Sequence, residues 1–188
     1  QGGRPRNLDD VNLYVKNLII FYSSLKPKIR RLSDFKYINY KGHYPNYIKK
    51  ILMKNFGKKN FFFSTNNTFS YLKKYKLNIE TVNSTGFLET FNLNLPTILI
   101  FEDQFCKIRK SAKKFFKLLK EANILFDNPK SAAIFINKNY SNIDEWWNSK
   151  KVQNAVKIFS YNYARTTNNP YTFFKFINKF TNDEKNIF

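Results

Sequence analysis

The chain has 188 residues, the length of one ordinary domain with a single substantial core, whereas a two-domain enzyme needs more. Its single cysteine, Cys106, and single histidine, His43, exclude a disulfide bond within the chain and a metal site made of Cys and His side chains. The net charge of +20 would suit a phosphate-bearing partner, but the lysines are scattered among many Asn, Ile, Phe and Tyr residues, as in an AT-rich coding sequence. Nucleic acid is therefore not the favoured partner.

Hydrophobic periodicity predicts alternating helices and short strands. In the first part of the chain we predict, in order, a helix over Leu8–Leu25, a strand over Lys28–Leu32, a helix over Pro45–Asn55, a strand over Phe61–Phe63 and a helix over Thr68–Tyr75. Next come a strand with Ile79 and Val82, a helix over Phe87–Leu93, a strand over Leu95–Phe101, a helix over Phe105–Ala122, a strand over Ile124–Phe126 and a helix over Pro129–Asn137 capped by Asp127 or Asn128. This alternation predicts an α/β fold whose parallel sheet is covered on both faces and binds ligands at the carboxyl ends of its strands.

The clearest functional signal is the turn between two of these strands, Asn83-Ser84-Thr85-Gly86, which opens into a helix. Helix N-termini carry unpaired N–H groups and partial positive charge, so they are predisposed to bind anions. Ser84 and Thr85 add hydroxyl donors, and Gly86 lets a phosphate approach the backbone. The alternative is that Asn83, Ser84 or Thr85 simply caps the helix.

A longer stretch carries a family resemblance. It comprises NSTGFLETFNLNLPTILIF from Asn83, then RKSAKKFFKLLKEANILFDNPKSAAIFINK, then IDEWWNSKKVQNAVKIFSYNYART. These runs resemble the C-terminal region of a family of surface-carbohydrate biosynthesis transferases, with its N-S-T turn, R-x-S-A segment, D-x-P-x-S-A-A helix start and W-W-N-S turn in the same order. That family is similar to GT-B glycosyltransferases and to capsule, spore-coat and glycerophosphate transferases, whose C-terminal Rossmann-like domain holds a nucleotide-activated donor.

The resemblance implies a Rossmann-like three-layer parallel sheet of the GT-B C-terminal-domain type, with extra C-terminal helices. Residues 1–188 would form a single donor-binding domain whose last residues, 181–188, fray. Since the chain begins at Gln1, we expect a C-terminal fragment of a two-domain transferase whose N-terminal acceptor domain is missing. The implied activity is transfer of a glycosyl or related group from a nucleotide-activated sugar to a saccharide or lipid-linked acceptor of a surface polysaccharide.

The resemblance also implies a set of donor-binding residues: Asn83, Ser84, Thr85, Gly86, Glu89, Arg109 and Ser111. Arg109 would clamp a donor phosphate and Ser111 would assist it. Glu89 would bind the ribose hydroxyls, or else serve only as a partner of the helix dipole. No catalytic base is identifiable, and neither a cofactor nor a divalent metal is required.

Other polar and aromatic residues have simpler interpretations. Glu102 and Asp103 follow a strand and could hold a divalent ion, but a helix cap is the favoured role. Trp146 and Trp147 are expected to pack in the core, and Cys106 is expected to pack as a small apolar residue.

Some alternatives and questions stay open. A basic RNA-associated protein without catalysis would also explain the charge and the aromatic residues, and a nucleotide-sugar epimerase would share the architecture. The sequence does not identify the sugar, the base, the acceptor or the stereochemical outcome. No apolar run spans a bilayer and no signal-peptide pattern is present, so we predict a cytoplasmic protein, with peripheral contact with an anionic membrane at its inner face left open.

Overall fold

A computed structural model describes residues 8–37, 45–57, 61–63, 71–102 and 106–164. The helices are α1 (Leu8–Ser24), α2 (Pro27–Arg31), α3 (Pro45–Phe56), α4 (Gly86–Asn92), α5 (Lys113–Glu121), α6 (Pro129–Asn139), α7 (Ile143–Asn148) and α8 (Lys150–Tyr163). The strands are β1 (Phe35–Tyr37), β2 (Phe61–Phe63), β3 (Asn78–Glu80), β4 (Thr97–Ile100) and β5 (Leu125–Phe126). Short 3-10 turns at Lys110–Ala112 and Tyr140–Asn142 precede α5 and α7.

The strands pair in parallel, as the alternation of elements predicts. β3, β4 and β5 form a three-stranded sheet in chain order, and β1 pairs with β2 separately. Ile79 lies opposite Ile98, and Leu99 lies opposite Leu125. Parallel neighbours need a crossover connection, and here α4 joins β3 to β4 and α5 joins β4 to β5. The protein is therefore of the α/β class.

The central strand β4 is buried on both faces, which explains its unbroken apolar sequence. Successive side chains of a strand point to opposite sides. Ile98 and Ile100 accordingly pack with α1, α2 and α6, through Phe21, Leu25, Ile29, Ala132, Ala133 and Ile136. Leu99 and Phe101 pack into a second cluster formed with α4, α5, α7 and α8. Helices thus cover both faces of the sheet.

Aromatic rings hold the helices of the second cluster together. The Phe159 ring of α8 lies 5.0 Å from the Phe116 ring of α5 and 5.9 Å from the Phe91 ring of α4, both edge to face. Trp147 is buried and its indole N–H donates to the Asn94 carbonyl at 3.0 Å, while Trp146 donates to the Ala122 carbonyl at 3.2 Å. Both tryptophans therefore serve packing, as predicted, and each indole N–H has a hydrogen-bond partner.

Three sequence-based assignments differ from the structure, the first of them at Val82, which lies beyond the end of β3 at Glu80. Lys28–Leu32 is not a strand: α2 covers this segment, because Pro27 sets the helical φ of its first position after an extended Lys26. Within the described residues, the predicted helix Phe105–Ala122 begins only at Lys113: residues 106–109 are not helical, and Arg109 is extended, with ψ 146°, before the 3-10 turn. The predicted helix Thr68–Tyr75 lies partly outside the described residues, as do His43 and the tail 181–188 entirely.

Asn128 is the N-cap of α6, which decides between the two candidates for that position. Its side-chain oxygen accepts from the backbone N–H groups of Lys130 at 2.9 Å and Ser131 at 3.1 Å. Asn128→Ala is therefore expected to lower the free energy of unfolding by about 1 kcal/mol, as loss of a cap usually does. Chemical denaturation measures the change. Asn142→Ala is the matched control, because Asn142 precedes α7 without a capping bond from its side chain; equal losses in the two variants would contradict the assignment.

Candidate functional site

Polar residues gather at the carboxyl ends of β3 and β4, where α1 crosses the sheet. The Tyr14 and Thr81 hydroxyls are hydrogen-bonded at 2.7 Å, and the Asn17 amide donates to the Glu102 carboxylate. A small cavity lies here, with room for about one water molecule. Its lining residues are Tyr14, Asn17, Leu18, Phe21, Thr81, Ile100, Glu102 and Pro129. The middle of α1 is thus fixed over the edge at which parallel sheets bind ligands.

Glu102 has a partner that neither sequence-based alternative anticipated. Its carboxylate accepts a hydrogen bond from Asn17, a residue of α1 far away in the sequence. Asp103 lies outside the described residues. Across the described part of the chain, no three His, Cys, Asp or Glu side chains are grouped so as to hold a metal ion. Glu102 therefore connects β4 to α1.

Tyr14 remains a neutral phenol at this edge over the whole physiological pH range. Burial raises the pKa of Tyr14 to about 12, the hydrogen bond with Thr81 opposes the rise, and the charges of Glu80 and Glu102 add to it. A neutral phenol both donates and accepts hydrogen bonds, so it can hold Thr81 in place without adding charge.

The turn from Asn83 to Gly86 connects β3 to α4 as predicted. The Thr85 carbonyl accepts from the N–H groups of Leu88 at 3.1 Å and Glu89 at 3.2 Å, which starts the helix. The Thr85 side chain makes no capping bond, so its hydroxyl is not used to cap α4. Ser84 is half-buried and Thr85 is exposed. Glu89 lies in the first turn of the helix.

The chain after β4 returns to this turn. The Asn83 amide donates to the Cys106 thiol at 3.3 Å, and Cys106 itself is buried in the core. Three residues later the chain reaches Arg109, which is exposed, and then Ser111, which is exposed in the 3-10 turn before α5. The contact at Cys106 thus ties the segment that carries Arg109 and Ser111 to the turn that carries Asn83.

Sequence reasoning missed Glu80, the last residue of β3. Its two carboxylate oxygens lie 3.1 and 3.3 Å from the position that a Cβ atom on Gly86 would occupy. A side chain at position 86 would crowd this carboxyl, so Gly86 leaves room for a close approach, and the approaching group in this structure is a carboxyl of the same chain. A phosphate beside Gly86 would have to share this space with Glu80. One feature of the sequence could have indicated its role: Glu80 is an acidic residue at the end of a short strand, six positions before Gly86.

The environment of Glu80 favours its neutral form. Burial raises the pKa of Glu80 to about 7, the positive charge of Lys36 on β1 lowers it, and the negative charge of Glu89 raises it further. The protonated form of a carboxyl group donates a hydrogen bond, whereas the ionised form only accepts. Near neutral pH, the Glu80 carboxyl at the end of β3 therefore changes from a hydrogen-bond donor to an anion.

The parallel sheet, with polar residues at the carboxyl ends of its strands, defines an α/β protein. A family model described as "LIC12162 family transferase" matches residues 6–175. The chain belongs to this family of transferases. No curated protein and no solved structure matches it significantly.

Proposed function

We propose that the chain binds the phosphate part of a nucleotide-activated sugar at the turn after β3. In this proposal it is the donor-binding part of a transferase that moves a glycosyl or related group to a surface-polysaccharide acceptor. The observation that carries the proposal is the Asn83–Gly86 turn, which joins two parallel strands and opens into α4 at the carboxyl edge of the sheet. Membership of a transferase family supports group transfer as the reaction type.

We infer a Rossmann-like domain of the GT-B C-terminal type with helices on each side of a parallel sheet. Support comes from β4, whose alternate side chains enter two separate helical clusters. A β–α–β–α–β order with neighbouring parallel strands is the arrangement found in mononucleotide-binding halves of such folds.

The chemistry follows from where negative charge develops. When the bond between the sugar and the nucleotide breaks, the departing phosphate gains negative charge. Backbone N–H groups at the start of α4, the hydroxyls of Ser84 and Thr85, and the Arg109 guanidinium would stabilise that charge. Glu89 would bind the ribose. We assign no general base within the chain, because in a two-domain transferase it would come from the domain that binds the acceptor.

Glu80 gives the proposed phosphate site a dependence on protonation. In its neutral form the carboxyl can donate a hydrogen bond to a phosphate oxygen beside Gly86. In its ionised form it would repel the phosphate, since two negative charges would lie within a few ångströms. Binding of a nucleotide is therefore expected to weaken as the pH rises through about 7, the pKa of Glu80.

A thermal-shift panel tests the proposed site. UDP, CDP, CMP, GDP and their sugars are added to the wild-type chain and to a Ser84→Ala, Thr85→Ala double variant. A ligand at 100 times its dissociation constant should stabilise the wild type by about 2.7 kcal/mol, whereas the variant should lose most of this gain. Ser131→Ala with Ser141→Ala, two exposed serines elsewhere, is the matched control.

The outcome is decided by the difference between the variants. Equal shifts in the wild type and the Ser84–Thr85 variant would exclude this turn as the phosphate site. No shift with any nucleotide in the wild type would exclude the donor-binding role itself. Interconversion of the sugar without any acceptor would replace the transferase proposal with an epimerase.

A further inference from the structure

A dense run of basic residues covers the segment before α5 and the first half of that helix. Between positions 107 and 117 the sequence has six cations and no acidic residue: Lys107, Arg109, Lys110, Lys113, Lys114 and Lys117. All six are exposed. The inner side of α5 packs in the core, where its residues Phe116 and Leu119 are buried. The lysines of α5 are therefore displayed along the outer side of a rigid helix.

Little negative charge opposes these lysines. Glu121 is the only acidic residue of α5, and its carboxylate lies 3.7 Å from the Lys117 ammonium. The side chains of this pair are 75% and 51% exposed, so water screens the interaction strongly. Lys120 pairs with Asp127 beyond the end of the helix. Both acidic residues, Glu121 and Asp127, lie at or beyond the C-terminal end of α5. The N-terminal end of the helix carries Lys113 and Lys114, and Lys110 lies just before it.

Aromatic rings border the same surface. The Phe115 ring of α5 lies 5.4 Å from the Tyr163 ring of α8, and the Lys114 ammonium lies 4.9 Å from the Phe115 ring centre. Tyr163 is 41% exposed. Tyrosine at such a border has an apolar ring and a polar hydroxyl, a combination that suits the level of lipid headgroups. We call the surface of Lys110, Lys113, Lys114, Phe115, Lys117 and Tyr163 the α5 basic face.

We propose that the α5 basic face docks on an anionic lipid bilayer. The headgroup plane offers many negative charges at once, so it can meet all the lysines of one exposed helix side. The Phe115 ring packs against Tyr163 and is therefore not free for a base to stack on, as binding of single-stranded nucleic acid would require. Docking depends on lysine charge and is therefore reversible and salt-dependent.

The test uses the 188-residue chain and extruded vesicles in a sedimentation assay. Vesicles of phosphatidylcholine with phosphatidylglycerol should bind the wild type, and vesicles of phosphatidylcholine alone should not. Each lysine contributes roughly fivefold to the partition coefficient, so Lys113→Gln, Lys114→Gln and Lys117→Gln together should lower it by about 100-fold. Arg109 is left unchanged because it belongs to the proposed donor site.

A matched control removes the same charge from the other side of the sheet. Lys28→Gln, Lys130→Gln and Lys138→Gln alter three exposed lysines on α2 and α6. This control should bind vesicles nearly as well as the wild type. A second variant, Lys113→Gln with Lys117→Gln, keeps the contact of Lys114 with Phe115 and should lose about 25-fold by the same estimate.

Three results would overturn the docking proposal. One is equal loss in the face variant and the control, because net charge alone would then explain binding. Another is equal binding to neutral and anionic vesicles. The third is an RNA oligonucleotide that binds through these lysines while vesicles are not bound. Vesicle binding needs no nucleotide, so failure of the donor-site proposal would leave this result unaffected.

Discussion

Glu80→Gln is expected to raise the free energy of unfolding at about pH 8.5 by as much as about 3 kcal/mol and to change it little at about pH 4. Glutamine keeps the shape of the neutral carboxyl and cannot ionise. In the wild type, the pKa of Glu80 is raised from 4.5 to about 7 by burial, so the folded state binds a proton more tightly than the unfolded state. Each pH unit of this difference corresponds to about 1.4 kcal/mol.

The sign of the effect follows from that order of pKa values. Below the unfolded value of 4.5 both states hold the proton, and the stabilising contribution of neutral Glu80 is fully present. As the pH rises towards 7, the unfolded state loses its proton first, so the wild type becomes less stable. Above about 7 the folded state also ionises and the contribution is lost. The variant lacks this decline.

Urea denaturation of wild type and variant across this pH range gives the measurement, and the difference between the two curves removes the other titrating groups. Glu145→Gln is the control, because Glu145 is an exposed carboxylate in the first turn of α7. With rising pH, Glu80→Gln should depart from the wild type far more than this control does. Equal departures would show that the Glu80 carboxyl is not held against Gly86 in a desolvated position.

Phe159→Ala is expected to lower the free energy of unfolding by about 3 to 5 kcal/mol, the range for deleting a buried aromatic ring. Phe159 is 1% exposed and its ring lies 5.8 Å from Phe87 and 5.0 Å from Phe116. Removing it would leave a cavity where α4, α5 and α8 meet. Because α4 begins at the proposed phosphate turn, loosening of this contact should also weaken nucleotide binding.

Chemical denaturation measures this loss, and Tyr161→Ala is the matched control on the same helix. Tyr161 is 64% exposed, so its removal is expected to cost much less stability than removal of the buried Phe159. If Phe159→Ala cost no more than Tyr161→Ala, α8 would not pack against α4 and α5 through this ring. If Phe159→Ala lowered the free energy of unfolding but left nucleotide binding unchanged, the geometry of the turn would not depend on the packing of α8.

The local features of this chain follow from nearby residues, so they could be predicted. The apolar run of β4 indicates a strand buried on both faces, and Asn128 before Pro129 indicates a capped helix start. The alternation of helices and strands indicates parallel pairing. Short elements are harder to predict: α2 has only five residues, and the segment predicted as a strand is a helix that begins at Pro27.

The α/β class, the parallel sheet and the position of the Asn83–Gly86 turn can be read from the amino-acid order alone, because each depends on spacing within one element or between neighbours. The surroundings of that turn, in contrast, depend on contacts between distant parts of the folded chain. Tyr14 meets Thr81 across 67 positions and Asn17 meets Glu102 across 85, and no local pattern encodes such pairs. The same holds for Glu80: its pKa is set by burial and by charges on β1 and α4, which exist around it only once the chain has folded.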